Sequence, residues 1–388
     1  MKKILCLLAA GAMSVLTSCQ PKEQTVEYNI QDLPMACFEI QYREDAALPF
    51  TMQTMTLPAL NGGVPRTNLV DGEQLYFAVD YEEYAISSND IALFHYNAET
   101  GSLTELFHHT DDTLTMRFAE MVLLDEFLYL IAYTETPRDD NGDRESDCAV
   151  WQLNTQTFEI RILETIHVDK SSSLRRALFP VDGEICFAYE LSSDAADTAS
   201  VTEKVYHTET DNWEIIRRME LTQEDPPYVA DRDENFTCDE SGAAAILTYE
   251  GSYRLVTHTP NALYVDGTAS YVNWAEKITE GDTSFYYYYH FDAETKQLYR
   301  TKTDTLGYDI YSAGDYVLLW RDSADKTIPG QTMWCLMPET GTLTRCGPTG
   351  YTAAAIEDDS DNLSIVFRDK RDMGDGSAII GFITDWRS

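Results

Sequence analysis

The sharpest chemical feature of the 388-residue chain is the run Arg138-Asp139-Asp140-Asn141-Gly142-Asp143-Arg144. Asp139, Asn141 and Asp143 repeat oxygen-bearing side chains at every second position, the spacing at which a calcium loop presents its first ligands. The rest of that loop is missing: Arg144 stands where glycine is needed, and Val150 where a bidentate glutamate belongs. Ca²⁺ is the one candidate cofactor, set against a plain solvated acidic connection. Sixty-six acidic residues could supply many carboxylate pairs for polysaccharide hydrolysis or lysis, yet no spacing nominates one. No GxSxG elbow, HExxH helix, P-loop or Ser-x-Asp-x-Gly-x-x-Trp turn occurs, so no catalytic residue is named.

The remaining reactive side chains read as structural. His95 and His290 occupy the same place in two similar segments and His207 a related one, a recurrence that points to the fold. His108 and His109 are adjacent on a strand, so their rings face opposite ways and share no metal. Within Phe285-Tyr286-Tyr287-Tyr288-Tyr289, strand alternation sends Tyr286 and Tyr288 to one face and Tyr287 and Tyr289 to the other, which suits packing between sheets better than a sugar platform. Cys37, Cys148, Cys186, Cys238, Cys335 and Cys346 lack zinc-ligand spacing. Cys335 and Cys346 share a predicted hairpin but sit diagonally, so a disulfide would need a register shift.

What positions these residues is a repeat. Val70-Asp71-Gly72, Leu124-Asp125-Glu126, Val181-Asp182-Gly183, Cys238 to Gly242, Val265-Asp266-Gly267 and Ala313-Gly314-Asp315 are each followed by a strand, several of them nearly continuous apolar runs. A second turn recurs as Asn97-Ala98-Glu99-Thr100-Gly101 and Asp292-Ala293-Glu294-Thr295-Lys296, with looser copies at Asn154 to Thr157 and Met337 to Gly341. Asn or Asp caps such a turn and glycine accepts its positive φ, so Lys296 is expected in the left-handed region. Asn97 and Asp292 lie 195 residues apart, about four units of 49.

The unit resembles the repeats of TolB-like and WD-repeat-like bacterial propellers, which implies an all-β fold, a β-propeller of four-stranded blades, and carries over no activity. Seven blades fit best, at about 67–110, 114–165, 174–222, 228–260, 262–304, 307–347 and 351–388; six or eight remain compatible. The fourth has room for three strands. The seventh ends on its third, so an N-terminal strand, from Cys37 to Ile40 or Thr51 to Leu57, is expected to close the ring and remove its open edge. Segments 82–90, 134–147, 191–203 and 275–284 are expected as variable loops joining second to third strands and forming one composite surface.

The first residues supply the address. Met1-Lys2-Lys3, the apolar run Ile4 to Val15 and Leu16-Thr17-Ser18-Cys19 form a basic region, a short apolar region and a small-residue cleavage site. They resemble the signal and lipobox of bacterial lipoproteins, which implies signal peptide 1–18, lipidation of Cys19, a polar tether over 19–36 and one propeller domain over 37–388. The expected location is the extracytoplasmic face of the cell membrane, held there by lipid on Cys19. Loss of residues 1–19 removes two lysines and no acid, leaving 26 − 66 = −40. Such a field repels nucleic acid and anionic membrane surfaces at long range, so neither is expected as a partner. The expected function is a monomeric surface-tethered propeller that binds a protein or glycan partner through rim loops, with a polysaccharide hydrolase or lyase using channel carboxylates as the alternative.

Overall fold

A computed structural model describes residues 26–384, apart from 44–45, 83–86, 138, 140–143, 182, 194–197, 223–235, 242, 250–252, 282, 304–308, 314–315, 323–330, 349–350, 360–361 and 370–377. Four short strands come first: β1 (Val26–Asn29), β2 (Met35–Glu39), β3 (Gln41–Tyr42) and β4 (Gln53–Thr56). Seven sheets follow in chain order among the described residues. The first is β5 (Val64–Asp71), β6 (Gln74–Asp80), β7 (Asp90–Asn97) and β8 (Ser102–Thr110). The second is β9 (Thr115–Leu124), β10 (Phe127–Glu135), β11 (Ser146–Asn154) and β12 (Ile160–Val168). The third is β13 (Ser172–Val181), β14 (Glu184–Ser193), β15 (Thr198–His207) and β16 (Asn212–Thr222). The fourth has β17 (Phe236–Ser241), β18 (Ala244–Tyr249) and β19 (Tyr253–Val256); the fifth has β20 (Ala262–Gly267), β21 (Tyr271–Glu280), β22 (Thr283–Asp292) and β23 (Gln297–Thr303). The sixth has β24 (Asp309–Ala313), β25 (Tyr316–Asp322), β26 (Gln331–Met337) and β27 (Thr342–Arg345), and the seventh β28 (Tyr351–Asp359), β29 (Asn362–Asp369) and β30 (Ala378–Thr384). Each is an up-and-down meander of the kind that forms propeller blades.

The chain falls into two compact units: Met1–Asp45, Glu234–Leu319 and Cys335–Thr344 make unit 1, and Ala46–Asp233, Trp320–Trp334 and Arg345–Ser388 make unit 2. In unit 2 the first strands of consecutive sheets, β28, β5, β9 and β13, lie beside one another; in unit 1 β17, β20 and β24 do the same. Cores form where the sheets face each other, and strand alternation explains their composition. In β6, Leu75, Phe77 and Val79 point toward Val366 and Ile380 of the seventh sheet, while Tyr76 and Ala78 point toward Leu128, Leu130 and Trp151 of the second. A strand buried on both sides must be apolar throughout, which is why the second strands read as continuous apolar runs.

The turns follow the side-chain logic of the repeat. Asn97 Oδ1 accepts the Thr100 N–H at 2.9 Å and Gly101 has φ 69°. Asp292 Oδ1 accepts from Glu294 and Thr295, and Lys296 takes the left-handed conformation at φ 59°. Bulges are equally regular. An extra residue interrupts the outer strands β8, β12 and β16 at Leu106, Leu163 and Ile216. First strands β5, β9, β20 and β28 are each interrupted near their middle.

The N-terminal strands complete the later sheets in order. β1 pairs parallel with β19, β2 with β23 and β3 with β27, while β4 pairs antiparallel with β30. The fourth sheet therefore has three sequential strands and takes its fourth from Val26–Asn29, so residues 26–29 and 35–36 of the expected tether are strand, joined through a 3-10 turn at Ile30–Asp32 in which Ile30 is fully buried. Gln53–Thr56 fills the fourth place in the seventh sheet; Cys37 to Ile40, the other candidate, lies instead along the fifth. The fifth and sixth sheets have five strands, one more than expected.

Two expected loops are corrected. Residues 191–203 are mostly strand, because β14 runs to Ser193 and β15 starts at Thr198. Residues 275–280 and 283–284 are also strand, and Gly281 takes φ 63° after the first of them. Polar sequence there marked exposed ends of long strands, not connections.

Gly341 and Gly101 both need positive φ, but only at Gly341 would a Cβ lie 2.7 Å from Phe38 Cβ and 3.0 Å from the Glu39 carbonyl. Gly101→Ala is expected to cost the left-handed penalty of about 1 kcal/mol, and Gly341→Ala clearly more because β2 must shift. Thermal melts of the two variants check this; equal losses would contradict it.

Candidate functional site

In unit 2, one end of the first three sheets gathers charged side chains: the end where the second strand leaves and the third returns. Each first strand contributes an arginine there, Arg66 on β5, Arg117 on β9 and Arg176 on β13. Glu135, at the end of β10 and only 3% exposed, is the centre. It accepts a hydrogen bond from Ser87 Oγ, pairs with Arg144 from the 136–145 connection, and lies 3.6 Å from Arg117 Nε. Two connections, from the first and second sheets, thus converge on one carboxylate. Backbone bonds fix the first of them, since Ser88 and Met116 exchange N–H···O bonds at 2.8 and 2.7 Å.

On the first sheet, Asp80 lies 3.8 Å from Arg66 Nε and accepts the Glu82 N–H at 2.8 Å. Burial pushes its carboxyl above the usual range despite those bonds. Arg117 and Arg176 lie over the Tyr133 ring at 4.1 and 5.2 Å, which fixes the planes of both guanidiniums. Glu120 is the extra residue of the β9 bulge, at φ 44°, and the bulge aims it at the third sheet. There it binds Arg176 Nη1 at 3.0 Å and accepts the Leu178 N–H at 2.8 Å. Arg66, Arg117 and Arg144 keep about 30% of their side-chain surface exposed, so their outer edges reach solvent. Chemically this is a platform of oriented donors. Both central acids are buried beneath it.

Unit 1 holds a different buried acid. Glu276 on β21 is fully buried, accepts the Trp274 indole N–H at 2.8 Å and lies 3.4 Å from the His258 backbone N–H. Burial, the largest cause, raises its pKa above 4.5 against the lowering effect of Arg300. A small cleft beside Asn273, Tyr288, His290 and Thr301 encloses near 10 Å³, room for about one water.

The residues singled out from sequence fall as follows. Cys19 and the lipobox Leu16 to Cys19 lie outside the described residues, as do Asn141 and Asp143. Asp139 is described, and its carboxylate pairs with Lys170 Nζ at 3.1 Å. Among the described residues no group of three His, Cys, Asp or Glu is placed to hold a metal. His95, His207 and His290 bind Gln74, Glu184 and Asn273 at the starts of their second strands, a structural role repeated with the fold. Tyr287, Tyr288 and Tyr289 are buried in packing. Cys148, Cys186, Cys335 and Cys346 are buried free thiols and Cys37 an exposed one; burial lifts Cys148 to about 11. The arginine platform was missed. Its signal was present, an arginine five to eight residues ahead of Asp71, Asp125 and Asp182, but it is obscured by the abundance of acid around it.

No protein-family model and no curated protein matches the chain. Many solved structures do, at low similarity. The beta-propeller domain of the Trilobed protease from Pyrococcus furiosus is 8% identical over 84% of this chain and 93% of that one, with TM-score 0.40. An alpha-L-arabinanase of Penicillium chrysogenum complexed with arabinobiose is 10% identical over 85% and 98%, with TM-score 0.36. The polysaccharide lyase Uly1 is 10% identical over 82% and 89%, with TM-score 0.33. None of these likenesses bears on activity.

Two predictions follow from the acids. Glu135→Ala leaves Arg117 and Arg144 without their shared counter-charge, and should destabilise the chain by about 3–5 kcal/mol; denaturant titration checks it, and a loss near zero would show the network to be slack. Glu276 holds in the fold a proton that an unfolded chain releases above pH 4.5. That stabilisation is complete below pH 4.5 and lost as pH rises through the folded-state pKa. Glu276→Gln lacks this loss, so its melting temperature should gain on the wild type as pH rises. A constant difference from pH 4 to 8 would contradict the assignment.

Proposed function

We propose that the chain is an extracytoplasmic lipoprotein whose seven sheets are the blades of one β-propeller, and that it binds a protein or glycan partner at the arginine platform of the first three sheets. Lipid on Cys19 anchors it to the membrane, β4 closes the ring in the seventh sheet, and the protein acts as a monomer. The observation that carries the binding reading is the convergence on Glu135 of two connections and two half-exposed guanidiniums, with Arg66 and Arg176 alongside. Stacking and ion pairing hold these groups before a partner arrives, so little ordering cost remains for binding. Planar guanidinium edges suit carboxylate or hydroxyl acceptors.

Pull-down from detergent-solubilised envelopes and a glycan array, both with the soluble chain from residue 20 onward, test this. Arg117→Lys with Arg144→Lys keeps positive charge beside Glu135 but removes the planar guanidinium edges, and should weaken capture of whatever partner is found at least tenfold while circular dichroism stays that of a folded β protein. Undiminished capture by the double variant would move the site elsewhere.

One observation supports the second reading, a polysaccharide hydrolase: the raised carboxyl of Asp80 is the kind of group that serves as a general acid. Its 2% exposure argues for a structural role first. Release of reducing sugar by the wild type and its loss in Asp80→Asn would favour the enzyme.

A further inference from the structure

Six residues, Gln20 to Thr25, separate Cys19 from Val26. A peptide spans at most ~3.6 Å per residue, so the lipid-bearing cysteine lies no more than about 25 Å from the start of β1. β1 is no free tail. It is hydrogen-bonded along β19, from Val26 beside Tyr253 to Asn29 beside Val256, and Ile30 is buried directly after it. The chain then stays on the outer edges of unit 1, along β23 as β2 and along β27 as β3.

The charge of that edge departs from the rest of the chain, where acids outnumber bases 66 to 28. Strands β1, β2, β3, β19 and β23 carry three bases, Arg254, Arg300 and Lys302, against two acids, Glu27 and Glu39. Lys296, which lies over the Tyr28 ring at 5.8 Å, and Arg43 flank these strands, as do Asp32, Asp292 and Glu294, so the described edge is balanced at five bases to five acids. At physiological ionic strength a fixed charge is felt over only about 8 Å. The edge nearest a membrane therefore decides whether the headgroups repel the protein, and the distant acids do not.

We infer that the outer edge of unit 1 formed by β1, β2, β19 and β23 lies against the headgroup surface of the bilayer that carries the Cys19 lipid. The inference rests on the anchor proposed above and adds which surface the anchor holds down. The partner is a bilayer with anionic headgroups, which this balanced edge does not repel as the acid-rich remainder of the chain would.

The test uses full-length lipidated protein in phosphatidylcholine vesicles containing phosphatidylglycerol and a lipid-borne quencher. A fluorophore is placed on Glu27→Cys, Lys296→Cys or Tyr264→Cys, each in a Cys37→Ser background. Tyr264 is an exposed residue of β20, four strands from β2 across the fifth sheet, about 19 Å. Labels at 27 and 296 should be quenched at least twofold more than the label at 264. Equal quenching at all three sites in protein that remains vesicle-bound would overturn this inference and leave the anchor standing. If Cys19→Ala stays on vesicles as fully as the wild type, the anchor itself fails, and the inference with it.

Discussion

Open sheet edges are the constraint to which most of this structure answers. A four-stranded meander leaves its last strand with a row of unpaired N–H and C=O groups, and several such sheets in one chain multiply the risk of edge-to-edge association. The chain meets it in two ways. The first three sheets carry one extra residue in β8, β12 and β16, at Leu106, Leu163 and Ile216, which breaks the regular ladder a foreign strand would need. Strands β19, β23, β27 and β30 are instead covered by the N-terminal segment. Exposed Ile215, Ile216 and Met219 on β16 show why a bulge is useful where no described strand covers the edge.

The same device, used on the first strands, builds the polar site. A bulge turns one side chain out of strict alternation, and in β9 it directs Glu120 to Arg176 and the Leu178 N–H, tying the second sheet to the third. Glu135 ties the first to the second through Ser87. Buried acids cost solvation energy unless they are paired and hydrogen-bonded, so each sits where several donors meet. Arg66, Arg117 and Arg144, which meet this need, also stay about 30% exposed. Structural necessity and the proposed binding surface thus draw on one set of residues.

Much of the fold was legible in the sequence, because its signals are local. An Asp-Gly turn before an apolar strand and an Asn or Asp turn closed by glycine each depend on a few neighbouring residues, and Lys296 in the left-handed region follows from the same rule. The three-strand limit of the fourth sheet followed from the spacing of Asp239 and Asp266. What was not legible is long-range. Strand β1 has no strong β pattern, and only pairing with β19 makes Val26–Asn29 a strand. The second-to-third connections of the third and fifth sheets were misread because outer strand ends are as polar as loops. The arginine platform depends on which residues four separate segments bring together, and no single window of sequence contains it.

Covering the late sheets with the earliest residues has a kinetic consequence. The partners of β1 to β4 lie roughly 230 to 320 residues further along the chain, so the strap cannot dock until its receiving sheets exist. Long-range pairings of this kind are slow to form and leave edges exposed meanwhile. The strap is suited to waiting: its strands are two to five residues long, and Glu27, Asp32 and Glu39 punctuate them with charge. Short, interrupted segments make poor templates for aggregation, yet they suffice once Ile30 and the backbone ladders engage together. The segment least able to form a sheet alone is therefore the one that can safely be left until last.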